Sequence, residues 1–441
     1  MKERGWDKVN IREIALKLLL DYEECGKYVN LSLSSHITDN LSREDMGRLT
    51  GMLYTTVEGK LRYDYYIAAL AARPVEKLSA HTLGILRLGM AQIFDLERLP
   101  DFAAVNETVK LAKNSGERAF VNAILRKAVE VKDNPPLPDK SKNAPRYYSV
   151  KYSVPLKTVK HLIAELGEEG TVAFLEKINT VARTTLTVNT QKIGVDELIG
   201  ELEKSGYDVS RAKFSEYSVY VNGSFEVRRA KGYSEGLFFV QDEASAISVL
   251  ALGANSGDVI IDVCSAPGGK ALAASVFSGG GSVTAFDLHE SKISLINSAA
   301  KRLGLPVNAT ARDALMPDEA FFGKADKVIC DAPCSGLGVM AKKPDLRYKD
   351  ISVAEELPEL QYNILTASSR YLKSGGAMIY STCTLNKLEN EEVVSRFLAN
   401  NPEFYKEDFK VGSLESKDGM LTLYPHIHNT DGFFVARLRR K

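Results

Sequence analysis

Residues 258–270 read Asp258-Val259-Ile260-Ile261-Asp262-Val263-Cys264-Ser265-Ala266-Pro267-Gly268-Gly269-Lys270, a run that changes character halfway. Val259 to Val263 is apolar and mostly β-branched, the composition of a short strand buried on both faces. It stops at Ser265-Ala266-Pro267-Gly268-Gly269, after which Lys270-Ala271-Leu272-Ala273-Ala274 opens a helix-forming segment. Strand, glycine turn and helix in that order let a ligand approach the backbone closely and aim the first helical amides at it.

Two nucleotide-binding motifs do not fit this turn. A P-loop requires G-x-x-x-x-G-K-[ST], but Cys264 replaces its first glycine and Ala271 its magnesium-binding hydroxyl. A dinucleotide fingerprint requires G-x-G-x-x-G, which Ala266-Pro267-Gly268-Gly269 does not supply. The next strand, Ser282 to Phe286, ends in Asp287, about twenty residues past the turn, where an acidic side chain takes ribose hydroxyls. Together these predict an adenosine-bearing ligand that need not be a dinucleotide.

From Leu237 onward the chain alternates strand and helix. Strands are expected at 258–263, 282–287, 307–311, 325–331 and 376–382, with 433–438 closing the sheet. Helices are expected at about 269–278, 290–303, 353–372 and 388–399. Such alternation predicts a mostly parallel sheet covered on both faces, with its ligands at the carboxyl ends of the strands. In a doubly wound order the first, fourth and fifth strands are neighbours, about 5 Å apart, so Asp331, Cys334 and Cys383 converge beside the adenosine site. Buried cysteines are common as small core residues, and Cys330 inside its strand and Cys25 on its helix are read that way. Cys334 and Cys383 instead follow strand ends, among prolines, glycines and hydroxyls. Zinc is disfavoured because the cysteine spacings are wrong and His289, His426 and His428 form no paired motif. A Cys-His hydrolase would need a base near the thiol, and no histidine is tied to this edge.

Residues 1–132 carry apolar side chains at three- and four-residue spacing, as in Ile11 to Glu24, Ala80 to Leu96 and Arg118 to Glu130, which predicts an all-α bundle. Lys110, Lys113, Arg118, Arg126 and Lys127 could meet RNA phosphates, or simply solvate a helix face. Residues 133–146 are polar and proline-rich, the composition of a linker. Residues 147–235 mix helices and strands and predict a small α/β domain. Its first half is biased to Arg146, Lys151, Lys157, Lys160 and Arg183, suited to a phosphate backbone or to surface solvation. The catalytic domain is expected at 236–441.

The 441 residues carry 57 basic and 57 acidic side chains, so any nucleic-acid partner must be held by local patches. No apolar run is long enough for a membrane helix, and Met1 to Glu13 lacks the apolar centre of a signal peptide. The five cysteines form no CxxC pair, which predicts a reducing cytoplasm.

The motifs Asp262-Val263-Cys264-Ser265-Ala266-Pro267-Gly268-Gly269-Lys270, Asp287, Arg312-Asp313-Ala314, Asp331-Ala332-Pro333-Cys334-Ser335-Gly336 and Ser381-Thr382-Cys383-Thr384, with Glu389-Asn390-Glu391, come in an order and spacing that resembles the Sun/Fmu family of RNA cytosine-C5 methyltransferases. The N-terminal segment resembles the NusB-like RNA-binding fold in pattern and length. The resemblance implies a multidomain protein: a NusB-like all-α bundle, a small α/β RNA-binding domain and a C-terminal Rossmann-like methyltransferase domain. It implies S-adenosylmethionine as cofactor, with Cys264, Ser265, Ala266, Pro267, Gly268, Gly269 and Lys270 forming its loop. Asp287 would hold the ribose hydroxyls, Asp313 would lie against the adenine, and Asp331 would face the methionine end and the target base. Cys383 would be the nucleophile and Cys334 the thiol needed for product release.

The implied reaction makes 5-methylcytosine in small-subunit ribosomal RNA. A thiolate adding at C6 turns the electron-poor C5 into a carbon that can take a methyl group. The base must leave any helical stack to reach such a pocket. The expected protein is monomeric, binds no metal and touches no membrane. Other readings are a non-catalytic RNA-binding or assembly factor, a cytosine-C5 methyltransferase acting on another RNA such as tRNA, and a methyltransferase for free nucleotides or DNA. The paired Cys334 and Cys383 argue against the first, and the two extra domains against the last. Asn386 with Glu389 three residues on reads as a helix N-cap pattern.

Overall fold

The computed structural model describes residues 10–25, 41–96, 100–223 and 225–441. The expected helical stretches at 1–9, 26–40 and 97–99, and the Cys25 side chain, lie outside the described residues. The chain forms two compact units: Met1–Leu175 with Lys343–Lys349, and Glu176–Lys342 with Asp350–Lys441.

The first unit is helical: α1 (Ile11–Cys25), α2 (Arg43–Glu58), α3 (Lys60–Ala71), α4 (Ala80–Phe94), α5 (Asp101–Val109), α6 (Ser115–Glu130), α7 (Ala144–Tyr152) and α8 (Leu156–Ile178), the last running into the second unit. Side-chain caps start several of them. Ser42 accepts from Asp45 N, Ser79 from Thr82 N, Asn114 from Glu117 N and Asn143 from Arg146 N, satisfying amides that a helix start leaves without partners. Apolar residues one turn apart, such as Leu49, Met52, Leu53 and Val57 on α2, meet Ile85, Leu88 and Ile124 in a single core. Gly89 lets α4 and α6 come close, since a Cβ there would stand 2.5 Å from Leu125.

The sequence placed residues 147–175 with the small α/β domain. By packing, however, α7 and the first part of α8 belong to the helical unit. The physical reason is Ser153, whose Oγ accepts from Leu61 N (3.1 Å) and Arg62 N (3.3 Å) and so caps the start of α3. Tyr348, from the Lys343–Lys349 segment of the same unit, completes the junction: it pairs with Ser153 Oγ at 2.9 Å and donates to Glu58 O at 2.8 Å.

The second unit contains two sheets. The smaller, in the order β2-β3-β1-β4, is antiparallel and built from β1 (Thr184–Val188), β2 (Asp208–Arg211), β3 (Ser218–Asn222) and β4 (Phe238–Val240). Helix α9 (Val195–Lys204) covers it with Leu198 and Leu202. Asn189 fastens this sheet to the larger layer by donating to Gly236 O and Leu303 O, both at 2.9 Å. Gly236 is required there: its φ is +73°, and a Cβ would lie 2.2 Å from Arg302 O.

The larger sheet has the order β10-β14-β9-β8-β5-β6-β7. Its parallel strands are β5 (Ile260–Asp262), β6 (Val283–Asp287), β7 (Val307–Ala311), β8 (Ala325–Asp331) and β9 (Leu372–Thr382). Helices α10 (Glu243–Ala251), α11 (Gly269–Phe277), α12 (Glu290–Leu303), α13 (Val353–Ser369) and α14 (Glu391–Asn400) complete the domain. Successive residues feed opposite layers, as the period of two demands: Ile260, Ile329 and Ile379 enter one core, and Ile261, Val328, Met378 and Tyr380 the other. Strand β14 (Phe433–Arg440) runs antiparallel to β9 but does not close the sheet as the sequence suggested. Its far edge pairs with β10 (Phe404–Lys406) and β13 (Met420–Leu423), and a two-residue ribbon of β11 (Lys410–Val411) and β12 (Leu414–Glu415) stands apart. No helix among the described residues is long and apolar enough to cross a membrane.

Candidate active site

The central strands β9, β8 and β5 are neighbours, so their carboxyl ends bring the predicted residues to one edge. Register carries this to the residue: Asp331 pairs with Ser381 across β8 and β9, and Asp262 with Ile329 across β5 and β8. The loops that follow hold Cys264 to Lys270, Cys334 and Cys383.

Cys334 Sγ and Cys383 Sγ lie 3.2 Å apart, and neither forms a disulfide. The hydrogen bond to Cys383, then burial, then the charges of Cys383, Glu389 and Asp331 hold the Cys334 thiol well above its ordinary pKa. Asp331 Oδ1 accepts from Ser381 Oγ at 2.8 Å, and its Oδ2 takes Lys270 Nζ at 2.7 Å. Burial disfavours the Lys270 ammonium, but Asp331, by charge and hydrogen bond, with Cys383 and Asp262 behind it, outweighs burial and raises its pKa. Lys270 also stands 4.9 Å from the centre of the Phe433 ring. A cation paired with the Asp331 carboxylate thus also feels the charge of Cys383.

The loop after β5 is tied down by β6. Ser265 N donates to Phe286 O (2.8 Å), Ala266 N donates to Asp287 Oδ2 (2.9 Å), and Asp287 Oδ1 accepts from His289 N (3.1 Å) at the start of α12. Gly268 has a φ of +103° and faces Ile296, to which a Cβ would come within 3.1 Å. Asp313 follows β7 at the same edge and accepts from Leu315 N at 2.9 Å. Asp262 is fully buried. Burial above all, with Asp331's charge adding, pushes the Asp262 carboxyl up to about 7, against the opposing pull of Ser265, Lys270 and the Cys264 backbone. Carboxylates at 262, 287, 313 and 331 around a glycine turn suit a ligand that is cationic at one end and carries ribose hydroxyls at the other.

Cys330 is fully buried in the apolar layer, as expected, and Cys264 is a half-buried residue whose thiol burial pushes well up. Two further residues were named in the family motifs but given no role at the site. Asp262 is one, although an acidic side chain inside an apolar run is a visible signal. Glu389 is fully buried, and the reading of Asn386 and Glu389 as a helix cap is wrong, because α14 begins only at Glu391. Asn386 instead donates to Glu389 Oε1 at 3.0 Å within a buried network.

The C-terminal domain is a methyltransferase domain of the Rossmann-like class, and residues 249–439 match the family described as 16S rRNA methyltransferase RsmB/F. Residues 9–130 match the NusB family, and residues 155–228 match the ferredoxin-like domain of RsmF/B-like methyltransferases. The chain is 34% identical, over 98% of its length and 99% of the other protein's, to the probable ribosomal RNA small subunit methyltransferase B of Bacillus subtilis (strain 168). It is 27% identical, over 98% and 99%, to ribosomal RNA small subunit methyltransferase B of Shewanella oneidensis. The crystal structure of PH0851 superimposes with a TM-score of 0.79 at 26% identity, covering 100% of both chains. The chain therefore belongs to the RsmB/F family of 16S rRNA methyltransferases. It is an rRNA methyltransferase with a NusB domain, a ferredoxin-like domain and a Rossmann-like catalytic domain.

Proposed function

We propose that this protein transfers a methyl group from S-adenosylmethionine to C5 of a cytosine in small-subunit ribosomal RNA through a covalent bond between Cys383 and C6. The observation that carries this is the thiol pair, 3.2 Å apart, beside the Lys270–Asp331 ion pair at the carboxyl edge of a methyltransferase sheet. A non-catalytic scaffold has no use for two thiols held in register there.

The donor set fits the cofactor. The loop Cys264 to Lys270 would hold it, Asp287 would meet the ribose hydroxyls, Asp313 the adenine side, and Asp262 and Asp331 the cationic end. When bound, S-adenosylmethionine supplies an electrophilic methyl group on a sulfonium. The chain's own residues do the rest. In this mechanism Cys334 holds the proton and donates to Cys383, which acts as the thiolate. Cys383 adds to C6, and the electron pair displaced from the C5–C6 double bond is delocalised toward N3, where Asp331 with Lys270 stabilises or protonates the ring. C5 then forms its bond to the methyl carbon as that carbon's bond to the sulfonium sulfur breaks, the electron pair staying on sulfur to leave a neutral thioether. A base, water or a neighbouring carboxylate, takes the C5 proton, the C5–H electron pair re-forms the C5–C6 double bond, and the sulfur of Cys383 departs with its bonding pair as a thiolate toward the S–H of Cys334. Without that donor the leaving sulfur is more basic and the adduct longer lived.

The test is methyl transfer from labelled S-adenosylmethionine to unmodified 16S rRNA, with each reaction run on a denaturing gel. Cys383→Ala should abolish transfer, and Cys334→Ala should accumulate a covalent protein–RNA band. Full activity in Cys383→Ala would sink the nucleophile assignment. Transfer to a position other than cytosine C5 would sink the substrate assignment.

A further inference from the structure

We infer that Glu389 is the positioning residue of the thiol pair: its buried carboxylate, held by donors from three segments, sets where Cys334 and Cys383 stand relative to each other. The inference rests on the two-thiol reading above.

The carboxylate oxygens of Glu389 accept four hydrogen bonds. Ser335 N (2.8 Å) and Gln361 Nε2 (2.9 Å) donate to Oε2, and Ser335 Oγ (2.5 Å) and Asn386 Nδ2 (3.0 Å) donate to Oε1. Ser335 directly follows Cys334, Asn386 lies in the loop that begins at Cys383, and Gln361 comes from α13. Gln361 Nε2 also donates to Pro333 O at 2.9 Å, so Cys334 is fixed through both of its neighbours. Because the Ser335 proton goes to Glu389, Thr384 Oγ1 is the donor in its 2.7 Å bond to Ser335 Oγ, which ties the second thiol's neighbour to the first's.

The next residue finishes the clamp on Cys383. Asn390 Oδ1 accepts from Thr382 Oγ1 (2.5 Å), and Asn390 Nδ2 donates to Thr384 O (3.1 Å), so the residues on either side of Cys383 are both held. Gly338 N donates to Cys383 O at 2.9 Å. One dipeptide, Glu389-Asn390, therefore spans the two loops. A fully buried carboxylate is costly unless its lone pairs are filled. Four neutral donors fill these, and three of them belong to the loops that carry the thiols. A neutral or apolar side chain could close an ordinary loop, whereas an acceptor able to collect four donors can pin two at once.

The experiment uses the full-length protein and compares wild type with Glu389→Ala and Glu389→Gln. Three quantities are read: kcat and KM for methyl transfer, the dissociation constant of S-adenosylmethionine, and the rate at which the two-electron oxidant diamide joins Cys334 to Cys383, scored by mass spectrometry. Glu389→Ala should lower kcat by about 10²-fold, the scale of a 1 Å misplacement of reacting groups, and slow the cross-link at least tenfold. Cofactor affinity and KM should stay within threefold, because Glu389 touches neither the loop at 264–270 nor Asp287. Glu389→Gln keeps one oxygen acceptor, and Ser335 Oγ and the Asn386 amide can turn to meet its NH2, so it should recover part of both rates.

A merely structural role would lower cofactor affinity together with kcat while leaving the cross-linking rate of the surviving folded protein unchanged, and that pattern overturns the inference. So does wild-type cross-linking in Glu389→Ala. Should the alanine variant fail to fold, Glu389→Gln decides by the same two rates, and a wild-type cross-linking rate in it overturns the proposal. The cross-link does not depend on methyl transfer, so inactive wild-type protein would refute the proposed reaction while still testing Glu389.

Discussion

Gly338→Ala should cripple the reaction while leaving the cofactor site intact. Gly338 lies where two backbones nearly touch: a Cβ built on it would stand 1.9 Å from Gly432 O and 2.8 Å from Gly432 Cα. The strands of backbone must part by about 1.4 Å before carbon and carbonyl oxygen reach the ~3.3 Å of an ordinary contact. Both hydrogen bonds of Gly338 resist this, since its N donates to Cys383 O (2.9 Å) and its O accepts from Gly432 N (2.8 Å). Overpacking of this kind costs about 1–3 kcal/mol, and a lost backbone hydrogen bond adds about 1 kcal/mol. More telling is the direction of the strain, which pulls directly on the carbonyl of Cys383. A misplacement of about 1 Å is worth about 10²-fold in rate, so kcat should fall by that order while cofactor affinity changes less than threefold. Gly257→Ala is the control: its φ is positive, +89°, but nothing lies within 4 Å of its Cβ, so it should cost about 1 kcal/mol in stability and leave kcat alone. Steady-state kinetics and cofactor titration of the two variants decide the matter. A Gly338→Ala enzyme within threefold of wild-type kcat would refute the reasoning.

Asp262→Asn should remove a pH-dependent weakness of the ligand-free protein. A carboxyl raised to about 7 when folded, against about 3.9 unfolded, supports the fold below pH 4 and loses that support as pH climbs through 7, at most about 4 kcal/mol. Urea unfolding of the variant and wild type at pH 5 and pH 8 should show the variant's advantage growing with pH, and an equal gap at both would count against it. Asp331→Asn should cost at least about 10²-fold in kcat and lower the Lys270 pKa, since burial then acts with less opposition; labelling of Lys270 by an amine-reactive reagent across pH, read by mass spectrometry, should shift to lower pH. Tyr348→Phe removes the donor to Glu58 O and the partner of Ser153 Oγ. It should cost about 1–2 kcal/mol, seen as faster amide hydrogen exchange at the end of α2 and the start of α3, and unchanged exchange there would count against this junction.

The catalytic sheet was legible because its signals are local. A strand that ends in Asp287, Asp331 or Thr382 and runs into glycine, proline or hydroxyls announces both the element and the edge it serves. The role of Glu389 was not legible for the opposite reason. Its partners Ser335 and Gln361 lie 54 and 28 residues away in the chain, while its nearest partner, Asn386, forms with it a spacing that ordinarily marks a helix cap. Tertiary donors captured the carboxylate that a local rule would have assigned to α14. Strands β10 and β13 hid behind their brevity, three and four residues long, too short for a period of two to show. The helices at 144–175 sided with the bundle through Ser153, a residue whose importance lies in accepting two distant amides.

The segment Lys343–Lys349 lies in the chain between β8 and α13, yet belongs to the helical unit. The polypeptide therefore passes from one unit to the other three times rather than once, and no single cut can release the bundle whole. A fragment ending at Leu175 would lack Tyr348 and leave Ser153 Oγ and Glu58 O to water. A fragment beginning at Glu176 would carry the stitch with nothing to receive it. An exchange of bundles between relatives would therefore have to carry this seven-residue stitch along with the helices.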